Sequence, residues 1–187
     1  MQKAKHSKRP KNTGQVDENR GKSMKPEAVA YHEAGHAIVA WRRHLRLLEV
    51  TIEPTRIYSG RVRFAKLFRE HELETSNADR LRIKVEDFAL MCLAGPAAQR
   101  KYNPRSIGLA WHGDHEQAQK ILRDYTGSDN EEYLRTYYKL IAIRARDFVA
   151  CNWKWIDMLA RELLARRNMS RRDFEELIAT KVFKMTP

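Results

Sequence analysis

The chain has 187 residues, 42% of them hydrophobic, which is the composition of an ordinary globular protein with enough length for one substantial core. Lysine and arginine (36) exceed aspartate and glutamate (24), for a net charge of +12. There is no run of about 18 apolar residues to span a membrane and no apolar leader at the N-terminus, so a cytoplasmic protein is the expectation.

Half of the net charge, +6 of +12, lies in residues 1–25, which hold eight basic and two acidic side chains and almost no large apolar ones. Such a segment cannot bury enough surface to offset its ordering entropy, so a disordered basic tail is expected, with residues 26–187 as the folded domain. Gly21-Lys22-Ser23 has the ending of a phosphate-binding loop, but Val16 stands where the first glycine is required and no apolar strand precedes it. A nucleotide-driven motor is therefore not expected.

Pro26 and Glu27 suit the first turn of a helix, and Arg42, Arg43 and His44 suit its last. Between them, Ala28, Val29, Ala34, Ala37, Ile38, Val39, Ala40 and Trp41 make a largely apolar helix interrupted by His32-Glu33-Ala34-Gly35-His36. This H-E-x-x-H spacing puts two imidazoles one turn apart on one face, close enough to share a Zn²⁺ at about 2.0–2.1 Å. Glu33 then stands beside the ion and can take a proton from water that the ion acidifies, the working core of a zinc peptidase.

Glu49–Glu53, closed by Pro54, and Gly60–Ala65 alternate with the period of strands and are expected to pair. Ala78–Tyr102 has helical periodicity, with Gly95-Pro96 expected to bend or interrupt it. A helix from Asp114 to Tyr125 follows, with Asp114 at its start. Ser128-Asp129-Asn130-Glu131 has a capping-box pattern and opens a long helix. Trp153–Arg167 is another, and Ser170 caps a last short one. The fold class expected is mainly α with a small β-sheet or hairpin. Cys92 and Cys151 fall within apolar helical patterns, as expected of buried free thiols.

A catalytic zinc site needs a third protein ligand. Asp114, His112, His115 and Glu116 are the candidates, with helix capping the ordinary use of an aspartate at a helix start.

Ala30-Tyr31-His32-Glu33-Ala34-Gly35-His36-Ala37 resembles the signature of the peptidase domain of FtsH-type ATP-dependent zinc metalloproteases. Val50–Pro54 followed by Gly60 is similar to that family's first strand and turn. Leu93–Gln99 is similar to its L-G-G-R-A-A-E segment, and Gly113-Asp114 with Glu116-Gln117-Ala118 to its S-N-D-L-x-x-A segment. Leu159–Ile178 is similar to its closing stretch. The resemblance covers residues 24–180. It implies a helical zinc-peptidase fold with His32, His36 and Asp114 as zinc ligands and Glu33 as general base. Pro96 replaces the family's arginine, and His112-Gly113 replaces the residues before its aspartate. The chain has no ATPase module of its own in this reading, so the implied substrate is a peptide or an unfolded polypeptide, with a separate ATPase as a conceivable partner. His112 and His115 are the candidates for stabilising an oxyanion.

The alternative is a non-catalytic interaction module that meets nucleic acid through the basic tail and a C-terminal cluster, Arg161, Arg166, Arg167, Arg171 and Arg172. No recognised nucleic-acid motif accompanies that cluster.

Overall fold

The computed structural model describes residues 25–56, 58–68, 79–105 and 111–185. The basic tail therefore lies outside the described residues, apart from Lys25. Six helices and three strands follow in the order α1 (Pro26–Arg42), β1 (Leu47–Thr51), β2 (Arg61–Phe64), α2 (Asp79–Tyr102), α3 (Trp111–Thr126), α4 (Glu131–Cys151), α5 (Trp153–Arg166), β3 (Asn168–Ser170) and α6 (Arg171–Met185). The domain is mainly α with a small antiparallel sheet, as expected.

Helix α1 is the centre of the domain. Every residue from Ala28 to Ala40 is buried, so the helix has no solvent face. Its small residues allow this, because neighbouring backbones can come close. A Cβ on Gly35 would lie 2.5 Å from the Ala94 carbonyl oxygen and 2.8 Å from Ala98 Cβ, so α1 and α2 touch nearly backbone to backbone there. On the α5 side, Trp41 packs against Trp155 at 5.2 Å, and Tyr31 stacks on Trp153 at 5.4 Å and donates a hydrogen bond to Asp157. Pro26 opens the helix as expected. At its far end, His44 takes the left-handed position (φ 56°), and Leu45 N–H returns to the Ala40 carbonyl at 2.8 Å, which stops the helix and turns the chain into β1.

The sheet has the order β2–β1–β3 with both pairings antiparallel. Val50 pairs with Val62 on one side and Met169 on the other, and these three make the inner face. Glu49, Thr51, Arg61 and Arg63 share the outer face. β1 begins two residues before the expected strand, because Leu47 is buried and pairs with Phe64. β3 is a strand that three residues of polar–apolar–polar pattern are too short to announce. It forms because Met169, 0% exposed, plugs the core beside Val50.

Four further expectations need correction. Of the bend or interruption expected at Gly95-Pro96, the interruption is absent: helix α2 runs on through Pro96, although proline cannot supply the N–H that the Cys92 carbonyl would otherwise accept. Helix α3 starts at Trp111, so Asp114 lies in its first turn and is not its cap. Helix α4 is capped by Asn130, whose side chain accepts from Tyr133 N–H at 3.0 Å, while Ser128 Oγ only accepts from Asn130 N–H. Cys151 is exposed; only Cys92 is buried. Ser170 does cap α6, in a reciprocal pair: Asp173 N–H donates to Ser170 Oγ at 3.3 Å and Ser170 N–H to Asp173 Oδ2 at 3.0 Å.

Candidate metal centre

Three side chains from two helices converge on one point. His32 and His36 project from the same face of α1, and Asp114 reaches them from the first turn of α3. His32 Nε2 lies 2.9 Å from Asp114 Oδ2, His36 Nε2 lies 3.5 Å from Asp114 Oδ1, and the two Nε2 atoms are 3.0 Å apart. The three side chains could hold a metal ion, each offering one donor atom with all three atoms within 4.8 Å of one another.

The outer nitrogens settle which way the rings face. His36 Nδ1 lies 2.8 Å from the Met91 carbonyl oxygen, and His32 Nδ1 lies 2.9 Å from Gln99 Oε1. The Met91 carbonyl can only accept, so His36 Nδ1 carries the hydrogen and its Nε2 lone pair faces inward; with Gln99 presenting Oε1, His32 takes the same tautomer. Carbonyl support behind a ligating imidazole is the usual outer layer of a metal site. It also leaves Asp114 Oδ2 buried with no hydrogen-bond donor, despite its proximity to His32 Nε2. A buried carboxylate oxygen without a donor is costly and calls for a cation. Two imidazole nitrogens and one carboxylate oxygen suit a divalent ion of zinc's character.

The charges agree. Burial pulls the His36 imidazole down, but the adjoining Asp114 carboxylate outweighs it and carries the group up to about 9. Burial pushes Asp114 up, and His36 and His32 together hold it well below the usual carboxylate range. Without metal, a proton on His36 Nε2 takes the central position, within reach of His32 Nε2. A cation, proton or metal ion, thus faces the Asp114 carboxylate in either state.

Glu33 follows His32 and sits at the same centre, 6% exposed. Burial pushes its carboxyl above the ordinary range, the two histidines pull it back, and Asp114 adds to the rise. A Cβ on Gly60 would lie 2.6 Å from Val29 Cγ1 and 2.7 Å from Glu33 Oε1, so the residue leading into β2 passes close over Glu33 at a position without a side chain. Glu33, the three candidate ligands and the edge of β2 line one cleft of ≈ 760 Å³, which also takes in Met91, Cys92 and Gln117.

The other candidates are placed elsewhere. His112 is exposed and lies 3.4 Å from Glu116 on the outer side of α3. His115 is turned away from the cleft, and its Nδ1 meets the Tyr138 hydroxyl on α4. Neither faces the centre as an oxyanion donor would. Arg61 and Arg63 both approach Glu49, at 3.8 and 2.9 Å on the outer face of the sheet. In the C-terminal cluster, Arg161, Arg166, Arg171 and Arg172 each pair with an acidic residue one turn away, as on an ordinary solvated helix face. No helix among the described residues is long and apolar enough to cross a membrane.

Sequence reasoning missed three contributors: the Met91 carbonyl, Gln99 and Gly95. A Cβ on Gly95 would lie 2.3 Å from His36 Nε2, so that glycine makes room for the imidazole. Its neighbourhood of small residues pointed only to close helix packing. No protein-family model matches the chain, and no curated protein matches it.

Proposed function

We propose that this protein is a zinc-dependent endopeptidase of the kind its resemblance to the FtsH-type peptidase domain implies. The observation that carries the reading is the joint placement of Glu33 and the His32–His36–Asp114 donor set in one cleft bordered by an edge strand. In this reading His32, His36 and Asp114 hold Zn²⁺. When bound, such an ion polarises a carbonyl and lowers the pKa of water from about 15.7 to about 7.

The protein's own residues supply the rest. Glu33 accepts the proton that water loses on attacking the scissile carbonyl and delivers it to the departing amine nitrogen. Its burial helps, because a carboxylate raised from its ordinary range is a better base. Among the described residues β2 is an edge strand, with β1 on one side only, and that edge offers backbone groups to an extended peptide. Such recognition reads backbone, which fits unfolded or flexible polypeptides as substrates. Arg61 and Arg63, the basic residues of β2, pair with Glu49 and so give no reason to expect a preference for acidic peptides.

The test is metal content of protein purified without added metal, with cleavage of an unfolded casein-type substrate by wild type, Glu33→Gln and His36→Ala. The expected result is about one zinc per chain, lost in His36→Ala, and cleavage lost in Glu33→Gln with zinc retained. Zinc retention together with undiminished cleavage in Glu33→Gln would overturn the role of Glu33. A wild type that binds no supplied zinc would overturn the whole reading.

A further inference from the structure

Helix α2 carries a support line for the centre. Met91, Gly95 and Gln99 recur at four-residue spacing and so share one face. That face runs antiparallel to the His32–His36 face of α1. The Met91 carbonyl accepts from His36 Nδ1, Gly95 admits the His36 ring, and Gln99 meets His32 Nδ1 at 2.9 Å. Gln99 is 0% exposed, the most deeply buried polar side chain among the described residues. An amide is costly to bury unless it is used.

We infer that Gln99 is the positioning residue of the metal centre: its side-chain carbonyl holds His32 in the tautomer that frees Nε2 for a cation, and does so without adding charge. The inference rests on the metal-binding part of the function proposed above, not on peptide cleavage.

The orientation of this one amide decides between two sites. If Gln99 presents Oε1, His32 carries its hydrogen on Nδ1 and offers a bare Nε2 to an ion. If Gln99 presented its NH₂ group instead, Nδ1 would accept, the hydrogen would move to Nε2, and His32 would donate to Asp114 Oδ2, 2.9 Å away. That second arrangement is a closed histidine–aspartate hydrogen bond that cannot ligate. Because the amide is neutral and the Met91 support is a peptide carbonyl, Asp114 is the only anion within ion-pair distance of the two imidazoles among the described residues. A carboxylate at position 99 would make His32 a stronger donor still.

Substitution at position 99 separates the two arrangements. Glutamate has a similar reach and, ionised, can only accept. Leucine can do neither. Zinc affinity of the full chain is measured by competition with a chromophoric chelator, with far-UV circular dichroism and metal-free melting as checks of folding. The expected result is affinity about 10–100-fold weaker in Gln99→Leu, and in Gln99→Glu equal to or tighter than wild type. Long-range ¹H–¹⁵N correlation spectra of the zinc-loaded wild type should place the His32 hydrogen on Nδ1, a readout that does not depend on any variant folding. Affinity unchanged in Gln99→Leu, affinity lost in Gln99→Glu, or a hydrogen on Nε2 would each overturn the inference. Zinc binding without cleavage in the wild type would overturn the peptidase reading and leave this one standing. No zinc binding at all would overturn both.

Discussion

Replacing Gly95 with alanine probes the centre more sharply than removing a ligand, because it adds one methyl group and no polarity. The new Cβ would lie 2.3 Å from His36 Nε2, 2.5 Å from Cε1 and 2.8 Å from Cδ2. Non-bonded heavy atoms prefer about 3.5–4.0 Å, so the ring must retreat by roughly 1 Å or more. It is not free to do so, since Nδ1 is tied to the Met91 carbonyl at 2.8 Å. A metal site tolerates about 0.2 Å of error in its bond lengths, so the displaced Nε2 ceases to be a ligand. Losing outer support costs about 10–100-fold in metal affinity, and losing a ligand costs more, so a drop beyond about 100-fold, or roughly 3 kcal/mol, is expected. Overpacking should also lower the stability of the metal-free protein by about 1–3 kcal/mol. The control is Gly113→Ala, in the first turn of α3, where a new Cβ meets nothing within 4 Å. That change should leave zinc affinity alone and stabilise the helix by up to about 1 kcal/mol. The assay is zinc titration against a competing chelator, with urea unfolding of the metal-free proteins. Gly95→Ala binding zinc as tightly as wild type would refute the reasoning, as would equal losses in the two variants.

Two further expectations concern pH and thiol chemistry. His36 titrates at about 9 in the metal-free fold against an ordinary 6.5. Its contribution to stability is therefore complete below about pH 6.5 and lost as pH rises towards 9. The melting temperature of metal-free protein should fall across that interval. Zinc-loaded protein should lack this component, since the ion displaces the proton; identical pH profiles for the two forms would contradict it. For the cysteines, alkylation of the native protein should modify Cys151 quickly and spare Cys92, because burial, reinforced by Asp114, pushes the Cys92 thiol far above its ordinary range. Peptide mapping that finds Cys92 labelled at a comparable rate would refute its placement.

What the chain determined by itself is what neighbours along it can determine. Pro26 at a first turn, the one-turn spacing of His32 and His36, and the Ser170–Asp173 cap all depend on residues within four positions of each other. The periodicities of the helices are equally local, and the mainly α class followed from them. The third member of the centre was not legible in this way. His112, Asp114, His115 and Glu116 all lie in the first turns of α3, and spacing cannot say which faces α1. The rotation of α3 about its own axis decides, and packing against α2 sets that rotation. Gln99 and Gly95 were hidden for the same reason. Their roles exist only because α2 lies antiparallel to α1, close enough for backbone to touch side chain. β3 was hidden because three residues carry too little pattern to be a strand without the waiting edge of β1. The motif came from local periodicity; the site came from the relative orientation of helices separated by some eighty residues of chain.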